Sequence, residues 1–197
     1  EQLIKAATRA PYGRGADTVV DTKVRRTWQI EASRVGISGK HWVKTLDGIV
    51  ERAAEGLGVS EPVVAELYKL LVYDKGSFFV SHRDTEKAPG MFATLVVALP
   101  SQSGGGELIV RHNDREVRLD LQCDEPSEVA FAAFYADCVH EVLPVTSGCR
   151  ATLVFNLVRM GKGAALEPPN YAAEADEVAS LLTSWTKTKV EIGDSPE

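Results

Sequence analysis

Short apolar segments alternate with turn residues along most of the chain, a pattern typical of β-strands. Turn signals such as Asp74-Lys75-Gly76 and Gly104-Gly105-Gly106 separate them. Thr18 to Ile30 predicts one or two early strands, and seven segments rich in β-branched and aromatic residues follow: 63–73, 77–82, 91–99, 107–112, 116–121, 129–135 and 150–158. We therefore expect a mainly β (α+β) sandwich or jelly roll with helices packed outside.

Two segments have helical periodicity instead. The first runs from about Lys40 to Leu57, with Ser38 as its predicted cap and Gly56 or Gly58 as its stop; its apolar positions are Trp42, Val43, Leu46, Ile49, Val50, Ala53 and Leu57. The second spans about 172–186, with Ala175, Val178, Ala179, Leu182 and Trp185 on one stripe. Strand segments 95–99 and 153–155 are apolar at consecutive positions, so we expect these helices to cover the sheet.

Length, charge and cysteine content narrow the class of protein. The 197 residues, 44% of them hydrophobic, suit one domain that spans 1–197. A net charge of −6 and the lack of a basic, aromatic-laced stretch argue against nucleic-acid partners, and no apolar run is long enough to cross a membrane. The three cysteines have no CxxC spacing and no signal-peptide pattern is present, so we expect a reducing, cytoplasmic location.

The candidate chemistry begins at His82-x-Asp84, at the end of a predicted strand. Side chains two residues apart on a strand point the same way, so the imidazole and the carboxylate can address one point. A distant histidine, for which His140 is the candidate, would complete a 2-His-1-carboxylate site for non-haem Fe(II). The motif alone favours the simpler interpretation of two solvated polar residues at a strand end.

Three longer motifs surround these residues. They are Tyr73-x-x-Gly76-x-x-Phe79-x-x-His82-x-Asp84, Gly105-Gly106-Glu107-Leu108, and His140-Glu141-Val142-x-Pro144-Val145-x-x-Gly148-x-Arg150. Together, over about 64–159, the chain resembles the iron(II)- and 2-oxoglutarate-dependent dioxygenases, particularly their prolyl-4-hydroxylase-like group.

The resemblance implies a double-stranded β-helix, a cupin-like jelly roll whose mouth holds the iron. His82, Asp84 and His140 would bind Fe(II) and leave three positions for 2-oxoglutarate and O2. Arg150 would complete the catalytic set by receiving the far carboxylate of 2-oxoglutarate; the alternative for Arg150 is a surface ion pair. The resemblance also leaves room for ascorbate as an accessory reductant.

Three more residues are candidate co-substrate contacts. Thr152 shares a strand face with Arg150, and Tyr73 and Thr94 match contact positions in similar enzymes, although either could equally be a core residue. Four residues after Thr94, where many prolyl hydroxylases have a tyrosine, this chain has Ala98. We expect Thr152 to substitute for that tyrosine, and the departure weakens the case for a prolyl substrate.

The remaining polar residues are given simpler interpretations. Arg25 and Arg26 are read as a solvated face, His41 and His112 as surface residues, and residues 1–16 as a segment of little chemistry. The loop after Asp84 carries Thr85, Glu86 and Lys87, which either contact substrate or form a solvated turn.

The function implied by the resemblance is hydroxylation of an unactivated C–H bond. Asp84 favours hydroxylation over halogenation, because related halogenases lack this carboxylate. The substrate is a prolyl or other residue of a protein or peptide, or a free amino acid or small metabolite. Two rivals remain: a non-catalytic jelly-roll binding or sensor module, and a cupin-type metalloenzyme without a 2-oxo acid, whose sites usually carry more histidines than the four here.

Overall fold

Residues 2–15, 17–123, 125, 127–160 and 172–191 are the part of the chain that the computed structural model describes. The chain divides into two units, Glu1–Ala164 and Ala165–Glu197. The elements of the first unit are α1 (Gln2–Ala6), β1 (Thr8–Arg9), β2 (Tyr12–Arg14), β3 (Asp17–Val19), β4 (Arg25–Arg26), β5 (Trp28–Glu31), α2 (Trp42–Gly56), β6 (Val63–Asp74), β7 (Phe78–His82), β8 (Met91–Ala98), β9 (Ser103–Gly105), β10 (Leu108–His112), β11 (Arg115–Leu119), β12 (Ala130–Tyr135), β13 (Val139–Val142) and β14 (Val145–Arg159).

Two antiparallel sheets form the body of this unit, as the strand pattern predicted. The larger sheet has the order β1-β5-β6-β14-β8-β12, with β9 attached to β14, and the smaller has the order β11-β10-β13-β7-β4. Strands β2 and β3 form a separate hairpin. A shared cluster contains Ala98, Ala132 and Phe134 of the larger sheet and Leu108 of the smaller, so the inner faces pack together in a jelly roll.

Helix α2 covers the outer face of the larger sheet. Its Ile49 and Ala53 pack in one cluster with Leu70, Leu153 and Phe155, all of them buried. Strands β8 and β14 are therefore covered on both faces, which explains their consecutive apolar residues. The next residue on each strand points the opposite way, into the space between the sheets.

The sequence located most elements but misjudged several ends. Helix α2 begins at Trp42 with His41 as its N-cap, without a side-chain cap bond, so the expected Ser38 cap is wrong. His41 itself is exposed, as predicted. Strand β13 was missed, and β14 begins five residues before Arg150.

The second unit contains the predicted C-terminal helix, α3 (Ala172–Glu191), which extends beyond the expected 172–186. Its apolar side chains Val178, Leu182 and Trp185 are exposed. None of the helices in the described ranges is long and apolar enough to cross a membrane.

Candidate metal centre

The two candidate histidines lie on neighbouring strands. His82 of β7 pairs directly with His140 of β13, and Asp84 follows two residues after His82. The Asp84 carboxylate is 4.0 Å from Nε2 of His82 and 3.7 Å from Nε2 of His140. One ligand atom from each of the three residues lies within 4.8 Å of the others. The structure thus brings the predicted triad together in a geometry that can hold a metal ion.

Backbone carbonyls orient both imidazoles. Nδ1 of His82 lies 2.9 Å from the Val80 carbonyl, and Nδ1 of His140 lies 3.1 Å from the Cys138 carbonyl. Because a carbonyl oxygen only accepts, each Nδ1 must carry the proton, and each Nε2 is left to bind a metal. Burial, followed by the neighbouring His140, lowers the pKa of His82 to about 4. His82 is therefore neutral at ordinary pH, the form that ligates metals.

Thr94 fixes the third ligand. Its hydroxyl donates a 2.6 Å hydrogen bond to Oδ2 of Asp84, and Thr94 is buried on β8. A hydrogen-bonded carboxylate loses rotational freedom, so Oδ1 of Asp84 is held toward His82 and Oδ2 toward His140. The sequence offered Thr94 as a co-substrate contact or as a core residue, and the structure shows its hydroxyl bonded to Asp84.

Arg150 is buried at the same place, with 3% of its surface exposed. It donates one hydrogen bond, from Nη2 to the Gly106 carbonyl. Its Nε and Nη1 are buried without a hydrogen-bond partner, and no carboxylate among the described residues pairs with it. The surface ion pair considered from the sequence is therefore not what the structure shows.

One cavity of about 200 Å³ between the sheets contains all of these groups. The triad and Arg150 line it, as do the three candidate contacts Tyr73, Thr94 and Thr152. Thr152 pairs directly with Ala98, so its hydroxyl lies beside the position where similar enzymes have a tyrosine. Every site residue singled out from the sequence faces this one space.

The family model described as "2OG-Fe(II) oxygenase superfamily" matches residues 68–158, the segment that carries the triad and Arg150. Residues 68–158 of this chain therefore match that superfamily. No curated protein sequence matches this chain.

Solved structures of similar proteins share the fold of this chain. A prolyl hydroxylase from Trichoplax adhaerens, in complex with a hypoxia inducible factor peptide fragment, has a TM-score of 0.54 and 17% identity, over 78% of this chain and 71% of that one. A 2OG-Fe(II) oxygenase family protein from Burkholderia pseudomallei has a TM-score of 0.51 and 18% identity, over 79% and 74%. A prolyl-4-hydroxylase from Pseudomonas putida has a TM-score of 0.50 and 18% identity, over 71% and 75%. At these identities the likeness establishes the jelly-roll fold alone.

Gly106 allows Arg150 to occupy its position in the cavity. Its φ of +75° lies in the left-handed region that favours glycine, and a Cβ there would lie 3.0 Å from Nη2 of Arg150 and 2.7 Å from Cγ2 of Val145. The second glycine of the Gly-Gly-Glu motif thus has a physical role, because any side chain would displace the guanidinium.

Two cavity residues escaped the sequence analysis. Arg25, interpreted as solvated, is 8% exposed and lines the cavity, so that interpretation is wrong; Arg26 is exposed as expected. Lys69, on β6, is 5% exposed and also lines it. The sequence did carry a signal for Lys69. It is a charged residue inside the apolar run Leu67 to Val72, and it shares a strand face with Leu71 and Tyr73.

Residues 1–16, predicted to carry little chemistry, also contribute to the site, since Pro11 and Tyr12 line the same cavity.

The loop after Asp84 borders the cavity through Thr85 and Lys87. Lys87 donates a 2.5 Å hydrogen bond to the Thr85 hydroxyl, and a Glu86 carboxylate oxygen accepts from the Gly90 N–H. Glu86 therefore stabilises the turn, whereas Thr85 and Lys87 lie at the edge of the cavity.

Proposed function

We propose that the chain is an Fe(II)- and 2-oxoglutarate-dependent oxygenase that hydroxylates an unactivated C–H bond. The observation that carries this proposal is one cavity that contains both halves of the required site. One half is a cluster of two imidazoles and a carboxylate, and the other is a buried guanidinium with two nitrogens without hydrogen-bond partners.

The donor set of the triad suits Fe(II). Imidazole nitrogen is a good ligand for iron, and one carboxylate offsets half of its charge, while three protein ligands leave positions open for other molecules. His82, Asp84 and His140 would hold the ion. The carbonyls of Val80 and Cys138 and the Thr94 hydroxyl would fix their orientation.

Arg150 suits the far carboxylate of 2-oxoglutarate. A buried donor without a partner costs about 1–3 kcal/mol, so its unpaired Nε and Nη1 are prepared for an acceptor that arrives with a ligand. The planar guanidinium can donate two parallel hydrogen bonds to one carboxylate. Tyr73, whose ring centre lies 5.4 Å from Cζ of Arg150, and Thr152 border the same position.

The bound iron and its co-substrates would supply the oxidation of the C–H bond, and the protein supplies placement. Arg150 and the triad fix the two ends of 2-oxoglutarate in one orientation. Apolar side chains such as Leu108, Phe134 and Val142 line the cavity around them and keep water out. Asp84 fills the ligand position that a halogenase leaves for halide, which supports hydroxylation.

For the substrate we propose a residue of a protein or peptide as the first class to test. The Trichoplax adhaerens neighbour was solved with a peptide, and the cavity opens beside the polar loop of Thr85 and Lys87. A free amino acid or small metabolite is the second class.

The test is 2-oxoglutarate conversion to succinate by purified protein supplied with Fe(II) and O2, without added substrate. We expect slow succinate formation that requires Fe(II) and is lost in Asp84→Ala. Asp47→Ala, which removes an exposed carboxylate of α2, is the matched control and should behave as the unaltered protein. Succinate formation that is equal in Asp84→Ala would refute the proposed site, and a folded protein that forms none would be a binding module.

A further inference from the structure

The cavity contains two buried cations besides Arg150, and the proposed function uses neither. Arg25 of β4 is 8% exposed and Lys69 of β6 is 5% exposed. Both line the cavity that holds the triad. Buried arginine and lysine side chains are rare unless they are paired, so their presence calls for a partner.

Lys69 lies too far from Arg150 to serve the same ligand group. On the paired strands Arg150 is opposite Tyr73 and Val154 is opposite Lys69. Four residues of strand separate the two positions, or about 14 Å. That backbone separation exceeds the length of a five-carbon diacid, and the proposed function directs the diacid from Arg150 to the triad, which leaves Lys69 for another ligand group.

Arg25 lies close to the metal ligands on the smaller sheet. Its Cζ is 4.4 Å from the centre of the Phe79 ring, which stacks on His82 with centroids 3.5 Å apart. Arg25 and the proposed iron ligand His82 therefore contact the same Phe79 ring. A group bound by Arg25 would lie beside the place where the C–H bond must be presented.

Neither cation has a carboxylate partner among the described residues. Arg25 donates to the Pro11 carbonyl at 2.8 Å, and its buried Nε has no hydrogen-bond partner. Lys69 donates to Oε1 of Gln29 at 2.8 Å, and Gln29 in turn donates to the Glu31 carboxylate. Glu31 is exposed and does not line the cavity, so its negative charge acts on Lys69 only from outside the cavity.

Charges in the cavity do not balance without a further anion. Among the described residues that line it, Asp84 is the one acidic side chain, against the buried cations Arg25, Lys69 and Arg150. Fe(II) and doubly charged 2-oxoglutarate would cancel each other. Burial, followed by Arg25, lowers the pKa of Lys69 to about 8, so Lys69 is still charged at neutral pH. The surplus charge of the cavity is therefore positive.

We propose that Arg25 and Lys69 bind a carboxylate of the substrate, so that the enzyme hydroxylates an acidic molecule or an acidic residue. This inference rests on the proposed function. The carboxylate could belong to a free amino acid or to an aspartate or glutamate side chain of a peptide, and both sources present the same group to the two cations. Arg25 and Lys69 would then determine specificity.

The test is an NMR titration of protein labelled at arginine Nε and lysine Cε, with Zn(II) as a redox-inert metal. First, 2-oxoglutarate is added, and the Arg150 signal should shift. Two matched pairs of probes follow: L-alanine against L-alaninamide, and N-acetylglutamate amide against N-acetylglutamine amide. We expect at least one acid to shift the Arg25 and Lys69 signals with an affinity at least tenfold above that of its neutral partner, and the pair that does so identifies the source.

Variants assign the effect to the two cations. Lys69→Met should remove the discrimination between acid and amide, Lys69→Arg should keep it, and Lys44→Met, at an exposed lysine of α2, should change nothing. The inference is wrong if no acid binds better than its amide, or if Lys69→Met and Arg25→Gln discriminate as before. An Arg150 signal that ignores 2-oxoglutarate would instead count against the proposed function, so the two failures are distinguishable.

Discussion

The two faces of the larger sheet are equally buried and yet differ in chemistry. On the outer face Leu70 and Leu153 pack under α2, and on the inner face their neighbours Lys69 and Thr152 line the cavity. The outer residues are satisfied by their apolar contacts. Inner residues such as Arg150 keep buried donors without partners. Burial alone therefore does not separate structural from functional residues, and the unpaired donors of Arg150 are what mark the inner face as the functional one.

The largest effect is expected on the inner side, from His140→Ala. Loss of one of three ligands should reduce 2-oxoglutarate turnover to background, because the remaining His82 and Asp84 hold Fe(II) weakly. Thermal unfolding should change little, since the substitution removes a ring that faces the cavity. Succinate formation measures the 2-oxoglutarate turnover, and calorimetry measures the thermal unfolding. The exposed His41→Ala is the control, and retained turnover in His140→Ala would break the proposed triad.

Leu153→Ala tests the outer face. Leu153 is 1% exposed in the cluster beneath α2, so we expect the free energy of unfolding to fall by about 2–5 kcal/mol. The 2-oxoglutarate concentration for half-maximal turnover of the folded protein should stay unchanged. Urea denaturation and steady-state kinetics provide the two numbers. A large change in that concentration without a loss of stability would erase the distinction between the faces.

Arg150→Met should have the opposite effects to Leu153→Ala: a higher 2-oxoglutarate requirement without a loss of stability. Removal of a buried partner of a carboxylate costs about 2–5 kcal/mol of binding, so half-maximal turnover should require at least about 30-fold more 2-oxoglutarate. Stability should hold or rise, because the unpaired Nε and Nη1 are no longer buried. The exposed Arg26→Met is the matched control. An unaltered 2-oxoglutarate requirement would mean that Arg150 is not the anchor.

The smallest effect is a pH dependence that arises from Lys69. Its pKa falls on folding from the ordinary 10.5 to about 8, so between these values the unfolded chain binds more protons and stability rises with pH. Lys69→Met should flatten that rise and be more stable at pH 7 by about 1 kcal/mol or more. Urea denaturation at several pH values measures both. Identical curves for the two proteins would show that Lys69 is not buried as a cation.

The sequence predicted what depends on spacing along the chain. His82-x-Asp84 was readable because side chains alternate along strands, and Arg150 because its ten-residue interval from His140 resembles the family motif. Helix α2 was readable from its 3.6-residue period. Strand β13 was missed, although it carries His140, because its four residues lie between two turns and show no alternation of their own.

The sequence could not predict side-chain orientations that depend on pairing between distant strands. Arg25 is buried because the two-residue strand β4 joins the edge of β7, a contact that no local pattern announces. Tyr68 lines the cavity beside Lys69 because the register shifts between Val154 and Phe155, which leaves Tyr68 of β6 without a paired residue on β14. A single irregularity of this kind reverses which side chains face inward.

The measurement that tests the central claim most directly is an anaerobic titration of the metal-free protein with Fe(II) and then 2-oxoglutarate. The chelate formed on a 2-His-1-carboxylate site should give a weak visible charge-transfer band that saturates with 2-oxoglutarate, is absent in Asp84→Ala, and needs more 2-oxoglutarate in Arg150→Met. A folded protein without the band, or an undiminished band in Asp84→Ala, would contradict the assignment of this cavity as an iron and 2-oxoglutarate site.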